Sequence, residues 1–262
     1  MTNICYSCVD YKVQKGYGTK AAFIAEDGDS GVSRTVTYSQ LLDMVKKHAA
    51  ALRGLGVQKG DRVAILLPDS PEFVIVCFGI VKTGGIAVPL NTKYKIDELS
   101  SLFNDSQPKV LVVESPLPEP LISALPRFRY IEHVIDLGSK YDGQHISYQQ
   151  IIATGSPRRV EVVLEPEDTA IIAYTSGPTT RPEGIELTHR NLVTEAAISG
   201  AGFQQTDEDI TILFALPLHH MFGLVGILLT AIYKGSTVVI VPWSYGINGV
   251  MEIIERQRST IF

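Results

Sequence analysis

Three short apolar runs separated by helix-length segments constrain this chain more than any other feature: 62–67 (RVAILL), 86–90 (IAVPL) and 109–114 (KVLVVE). None alternates with polar residues, as a strand with one wet face must. A continuous apolar run bounded by turns is the pattern of a strand covered on both faces. Between the runs, spacing predicts a helix over 72–82, entered through Pro68-Asp69-Ser70-Pro71 and closed by Gly84-Gly85, and a second over 97–106. This β-α-β-α-β order with short connections predicts an α/β fold of layered βαβ units around a parallel sheet.

The flanking sequence extends that plan. Ala21–Ala25 is a short apolar run, 27–33 (DGDSGVS) reads as a hairpin tip, and 34–38 alternates as a strand. Ser39 is the expected cap of a helix over 40–55, whose apolar residues Leu41, Leu42, Val45, Ala49 and Leu52 share one face. Residues 115–165 are less regular, with a strand expected over 131–136, a short helix over 147–153 and a linker-like crossing over 157–166. After 166 the pattern predicts strands over 170–174, 185–187, 210–216 and 237–241. Helices are expected over 190–200, 222–233 and 249–258, the first capped by Thr188 with Asn191 three residues on. Thr260, Ile261 and Phe262 read as the start of another strand. The expected division is a first α/β subdomain over 1–165 and the beginning of a second over 166–262. The apolar helix 222–233 is expected to need further sequence to pack against.

Composition narrows the partners. Of 262 residues 45% are hydrophobic and 19% charged, enough to build a core and unlike a disordered chain. A net charge of −5 argues against nucleic acid and against a basic membrane-binding face. The apolar stretches 73–88 and 221–233 are too short or too interrupted for a membrane-spanning helix. Cys5 and Cys8 are spaced C-x-x-C, but with only Cys77 besides and no histidine cluster they do not complete a metal site. The N-terminus lacks the basic and apolar segments of a signal peptide, so a cytoplasmic location with reduced thiols is expected.

The chemistry concentrates in 168–192, DTAIIAYTSGPTTRPEGIELTHRNL. An apolar strand ends abruptly in Thr175-Ser176-Gly177, a hydroxyl-rich loop runs to Gly184, and the chain becomes extended again. Such a loop can wrap an oxyanion with backbone N–H and side-chain O–H groups, phosphate first among candidates. Most Ser/Thr/Gly/Pro loops between strands bind nothing, and the spacing is not that of a Walker loop, which places Gly-Lys-Ser/Thr at the mouth of a helix.

Several stretches in order resemble the adenylate-forming superfamily of acyl-CoA synthetases, luciferases and peptide-synthetase adenylation domains. The family loop YTSGTTGxPKGV followed by xxTHxNL is matched by YTSGPTTRPEGI and ELTHRNL. VTYSQL (36–41), GDRVAI (60–65), VKTGGIAVPLN (81–91), LPLHHMFGL (216–224) and KGSTVVIV (234–241) resemble further family elements in the same order.

The resemblance implies ATP, Mg²⁺ and coenzyme A as reaction components and a carboxylic acid, a fatty acid foremost, as substrate. It implies an acyl-adenylate intermediate followed by a thioester. By family position, Thr175, Ser176, Gly177, Thr179, Thr180, Arg181 and Gly184 hold the ATP phosphates, and His220 lies beside the carboxylate. His219 sits where the family varies. Alternatives are an adenylation domain loading an amino acid, and a degenerate, non-catalytic nucleotide- or acyl-binding module.

Three departures motivate the last reading: Pro178, Thr180, and Glu183 where the family has lysine. A carboxylate about 6 Å from one phosphate charge costs on the order of 1–3 kcal/mol. Arg181 offers a substitute cation. The resemblance places the family's adenine-binding, Mg²⁺-ligating and catalytic-lysine segments beyond Phe262. No complete catalytic set, no metal ligand and no turnover are therefore expected from these residues alone.

Overall fold

The computed structural model describes residues 3–26, 33–138, 145–156, 162–175, 183–214, 216–242 and 245–262. A π-helical turn over Tyr6–Asp10 runs into α1 (Tyr11–Gln14), then β1 (Ala21–Glu26), β2 (Ser33–Thr37), α2 (Tyr38–Gly54), β3 (Arg62–Leu66), α3 (Pro71–Thr83) and β4 (Ile86–Pro89). Next come α4 (Ile96–Ser106), β5 (Val110–Val113), α5 (Glu119–Ala124), β6 (His133–Asp136), β7 (Ile146–Ser147) and α6 (Tyr148–Thr154). The last third holds β8 (Thr169–Thr175), β9 (Glu183–Thr188), α7 (His189–Gly202), β10 (Ile210–Leu213), a π-helical segment Phe222–Leu229, α8 (Thr230–Lys234), β11 (Thr237–Ile240) and α9 (Gly246–Gln257). Most of the expected hairpin tip at 27–33, and half of the crossing at 157–166, lie outside the described residues.

The expected α/β layering is present. One sheet has seven strands in the order β7-β6-β5-β3-β4-β8-β9, parallel except for the β8–β9 hairpin. The other has four, β10-β11-β1-β2, parallel except for β1–β2. Strand alternation sorts the side chains of the larger sheet: Val63, Ile65, Val110 and Val112 face the main core with α2 and α3. Ala64, Leu66, Leu111 and Val113 face a second core under α4 and α5. The main core also takes Phe23, Val36 and Val238 from the smaller sheet, so it fills the space between the two. Helix α9 covers the outer face of the smaller sheet through Val250 and Ile253, against Ile212, Val239 and Val241.

Residue 165 is not a boundary between sheets. Strands β8 and β9 extend the sheet begun by β3, while β1 and β2 join β10 and β11. The terminal residues bridge onto the free edge of β10, with Thr211 opposite Ile261. The strand expected to begin at 260–262 is present as this parallel bridge, with the Ile212 N–H donating to the Ile261 carbonyl at 2.9 Å and the Phe262 side chain exposed.

Local signals explain most element ends. Ser70 caps α3 by accepting the Phe73 N–H at 3.2 Å, Pro71 occupies the first turn, and Gly84 closes the helix. Helix α2 starts earlier than the expected cap Ser39, because Thr37 accepts the Gln40 N–H while Gln40 Oε1 accepts the Thr37 N–H at 2.8 Å. Thr188 and Asn191 form the same reciprocal box at α7.

The apolar stretch 222–233 does not wait for further sequence. Leu224, Leu228, Leu229, Ala231 and Ile232 are buried in the main core, and Cys8 Sγ donates to the Leu229 carbonyl. The unanticipated N-terminal helical segment supplies that cover through Ile4, Cys5, Cys8 and Val9. Cys5, Cys8 and Cys77 are free and buried, and burial pushes the Cys5 and Cys77 thiols up to about 12, which leaves them unreactive. Among the described residues no helix is long and apolar enough to cross a membrane.

His48 on α2 is fully buried beside the Tyr148 ring, 5.8 Å between centroids, and neither ring nitrogen has a partner among the described residues. Burial pushes its pKa down to about 4. The unfolded chain takes up a proton near pH 6.5 that the folded chain refuses, so stability falls as pH drops from there toward 4. Urea unfolding is expected to show its midpoint declining across that window. His48→Gln, which cannot titrate, reduces the slope, and His219 contributes residual loss of the same sign.

Candidate active site

Parallel pairing sets the carboxyl ends of β3, β4 and β8 side by side on one edge of the larger sheet. The chain leaves β3 for α3 on the main-core face and leaves β4 for α4 on the opposite face. Where adjacent strands send their connections to opposite faces, a crevice opens outside the strand ends. Pro68–Ser70, Asn91–Lys93 and Thr175 border this one.

The open end of the β8–β9 hairpin, at Thr175 and Glu183, reaches this edge. Thr175 pairs with Glu183 and Tyr174 with Gly184, so both ends of the loop are fixed. Of the residues expected to hold phosphate, Ser176, Gly177, Thr179, Thr180 and Arg181 lie outside the described residues, as does Pro178. Thr175 is exposed at the mouth of the loop, and Glu183 is exposed directly opposite. Gly184 lies over the Tyr174 ring, where an added Cβ would come within 3.1 Å of it. The Tyr174 hydroxyl donates to Asp105 Oδ2 at 2.5 Å, tying the end of β8 to the end of α4. Burial, then Asp105, pushes the phenol pKa up. At the far end of the hairpin, Asp168 pairs with Lys59 at 2.5 Å and its carbonyl accepts the His189 N–H.

A second structure reaches the same edge. After β10 the chain turns through 216–223 before the π-helical segment. Leu218 is fully buried, and its N–H donates to Asp69 Oδ1 at 2.7 Å, in the turn that leaves β3. His220 is exposed, donates its N–H to the Pro217 carbonyl and accepts the Phe222 N–H at Nδ1 over 3.2 Å. His219 is half-buried, and burial, then His220 and Lys93, pushes its pKa down to about 4. Gly223 closes the turn so tightly that an added Cβ would meet the Leu216 and Pro217 carbonyl oxygens at 2.4 and 2.5 Å.

The arrangement thus brings the stem of the β8–β9 hairpin and a histidine-bearing turn to one sheet edge. Asp69 escaped sequence reading because its partner lies 149 residues away; the only local signal is a short polar residue between two prolines. Among the described residues no group of three or more His, Cys, Asp or Glu could hold a metal ion.

The profile of the AMP-binding enzyme family matches residues 11–262. The chain belongs to this family of adenylate-forming ligases. It is 29% identical over 265 residues to 4-coumarate–CoA ligase 4 of Arabidopsis thaliana, covering 96% of this chain and 46% of that protein. It is 33% identical over 214 residues to the acetyl-coenzyme A synthetase of Rubrobacter xylanophilus, covering 74% of this chain and 33% of that one. The anthranilate CoA ligase AuaEII in complex with anthranoyl-AMP superposes with a TM-score of 0.90 at 28% identity, over 99% of this chain and 49% of its own. A long-chain-fatty-acid–CoA ligase from Archaeoglobus fulgidus superposes with a TM-score of 0.88 at 26% identity, over 98% and 50%. The chain spans half or less of the length of these relatives.

Gly223→Ala is expected to push the two carbonyls apart and displace the His219–His220 turn. The cost should be about 1–3 kcal/mol, read as a lower urea midpoint together with shifted ring signals of both histidines.

Proposed function

We propose that this chain forms the N-terminal part of an AMP-forming carboxylic acid–CoA ligase. In the first step a carboxylate oxygen attacks the α-phosphorus of ATP, the bond to the β-phosphate oxygen breaks, and pyrophosphate leaves. In the second, the coenzyme A thiol attacks the acyl carbonyl, AMP leaves, and the thiol proton passes to solvent or base.

The observation that carries this reading is the β8–β9 hairpin, whose stem brings Thr175 and Glu183 to the strand-end crevice, within a family match over nearly the whole chain. In this reading Thr175, Ser176, Gly177, Thr179, Thr180, Arg181 and Gly184 form the phosphate cradle. His220 stands beside the acid. Mg²⁺ would offset phosphate charge when bound. The relatives named above carry in their names substrates as different as 4-coumarate, anthranilate and long-chain fatty acids, which supports a carboxylic acid and does not single out a fatty acid.

One observation favours a second reading, a module that has lost phosphate binding: Glu183 faces Thr175 across the loop mouth, where its charge opposes a polyphosphate. Calorimetric titration of the chain with ATP and Mg²⁺, with and without Glu183→Lys, separates the two. A weakened but working cradle gains on the order of tenfold in affinity from Glu183→Lys, the repulsion being about 1–3 kcal/mol per charge. No gain, with no heat from the full-length protein either, establishes the degenerate module. The chain alone is expected to form no AMP in response to a carboxylic acid.

A further inference from the structure

Asp69 is set in the tightest connection on the crevice. Pro68 and Pro71 flank it and fix the backbone on both sides. Ser70 is committed to the neighbouring bonds, donating its hydroxyl to the Pro68 carbonyl at 3.2 Å and accepting the Phe73 N–H. The direction of the Asp69 side chain is therefore set by β3 and α3 beneath it, both deeply buried in the larger sheet and its helical cover.

Among the described residues that side chain bonds the Leu218 N–H at 2.7 Å, joining elements 149 residues apart. Leu218 is itself pinned in the core, and the residues directly after it are His219 and His220. A bond at the root of a two-residue extension sets where its tip points. Burial pushes the Asp69 carboxyl up and the Leu218 N–H opposes that rise, as expected of a desolvated carboxylate whose bond is formed.

We propose that Asp69 is a positioning residue for the acid-binding side of the site, fixing the His219–His220 turn against the carboxyl end of β3 through the Leu218 N–H. The functional half of this proposal rests on reading His220 as a neighbour of the substrate carboxylate. The structural half does not. Asparagine keeps an acceptor oxygen at the same place, so Asp69→Asn retains the tie and Asp69→Ala removes it.

The test has two arms. On this chain, amide hydrogen exchange at Leu218 and the ring signals of His219 and His220 are compared in wild type, Asp69→Asn and Asp69→Ala. Asp69→Ala is expected to speed Leu218 exchange about tenfold or more and to move both ring signals, with Asp69→Asn close to wild type. Unchanged exchange and rings in Asp69→Ala overturn the proposal. Should Asp69→Ala fail to fold, a wild-type Leu218 amide exchanging at the unprotected rate overturns it equally.

On the full-length enzyme, acid-dependent ATP–pyrophosphate exchange is measured. Asp69→Ala is expected to raise KM for the carboxylic acid about tenfold with KM for ATP little changed, and Asp69→Asn to rescue it. Equal rises for both substrates reduce Asp69 to general scaffolding and overturn the proposal. If the wild-type enzyme shows no such exchange, the ligase reading fails, while the amide and ring data still decide the tie.

Discussion

Everything in this fold depends on the burial of the helical layer between the two sheets. Helix α3 keeps only its two ends polar, with Phe73, Val74, Ile75, Val76, Phe78, Ile80 and Val81 at 2% exposure or less. A helix apolar all round must be enclosed all round. Here β3 and β4 close one side, α2 packs along it, and the N-terminal helix reaches it through the Lys82–Asp10 ion pair at 2.8 Å. At roughly 25 cal/mol per Å² of apolar area removed from water, this layer outweighs any single polar contact at the surface. It also dictates geometry, because strands held parallel against it must end together on one edge.

That shared edge is what makes chemistry accessible. The core fixes the strand ends, and the loops beyond them are free to carry polar residues. The tethers that cross the edge are specific: Tyr174 to Asp105, and Leu218 to Asp69. Each ties a residue next to a candidate site to a connection whose own position the core already determines. Polar positioning here is a second layer of order resting on apolar packing.

How much of this is readable in the sequence follows from the range of each interaction. The runs at 62–67, 86–90 and 109–114 declare buried strands because enclosure on both faces leaves no alternation, and the caps Thr188 and Ser70 lie beside the helices they start. The N-terminal helix escapes such reading although Ile4, Cys5, Cys8 and Val9 fall on one face, since their short stripe ends within a few turns. Helix α5 falls in a stretch dominated by proline signals. Expecting 222–233 to lack cover follows from that first omission. The hydroxyl-rich loop is legible as a motif because its residues are contiguous, and the strands on either side of it pair as β8 and β9. Asp69 is illegible because hydrogen bonds across the fold leave no periodic trace.

The two sides of the crevice differ in electrostatic character, and the difference suits a carboxylate nucleophile. An acid must remain ionised to attack phosphorus, so a group beside it should donate a hydrogen bond without surrendering a proton. In the proposed reading that group is His220, whose Nδ1 accepts the Phe222 N–H and so leaves Nε2 to donate; its neighbour His219, which burial holds at about 4, stays neutral at physiological pH. Lys93, exposed on the neighbouring connection, adds positive potential that draws an anion in and at the same time disfavours a second positive charge on the imidazole. Across the edge Glu183 does the reverse to a polyphosphate. On the proposed ligase reading, an acid-binding side consistent with the chemistry meets a phosphate side in partial conflict with it, and the balance turns on the Glu183 charge at the stem of one hairpin.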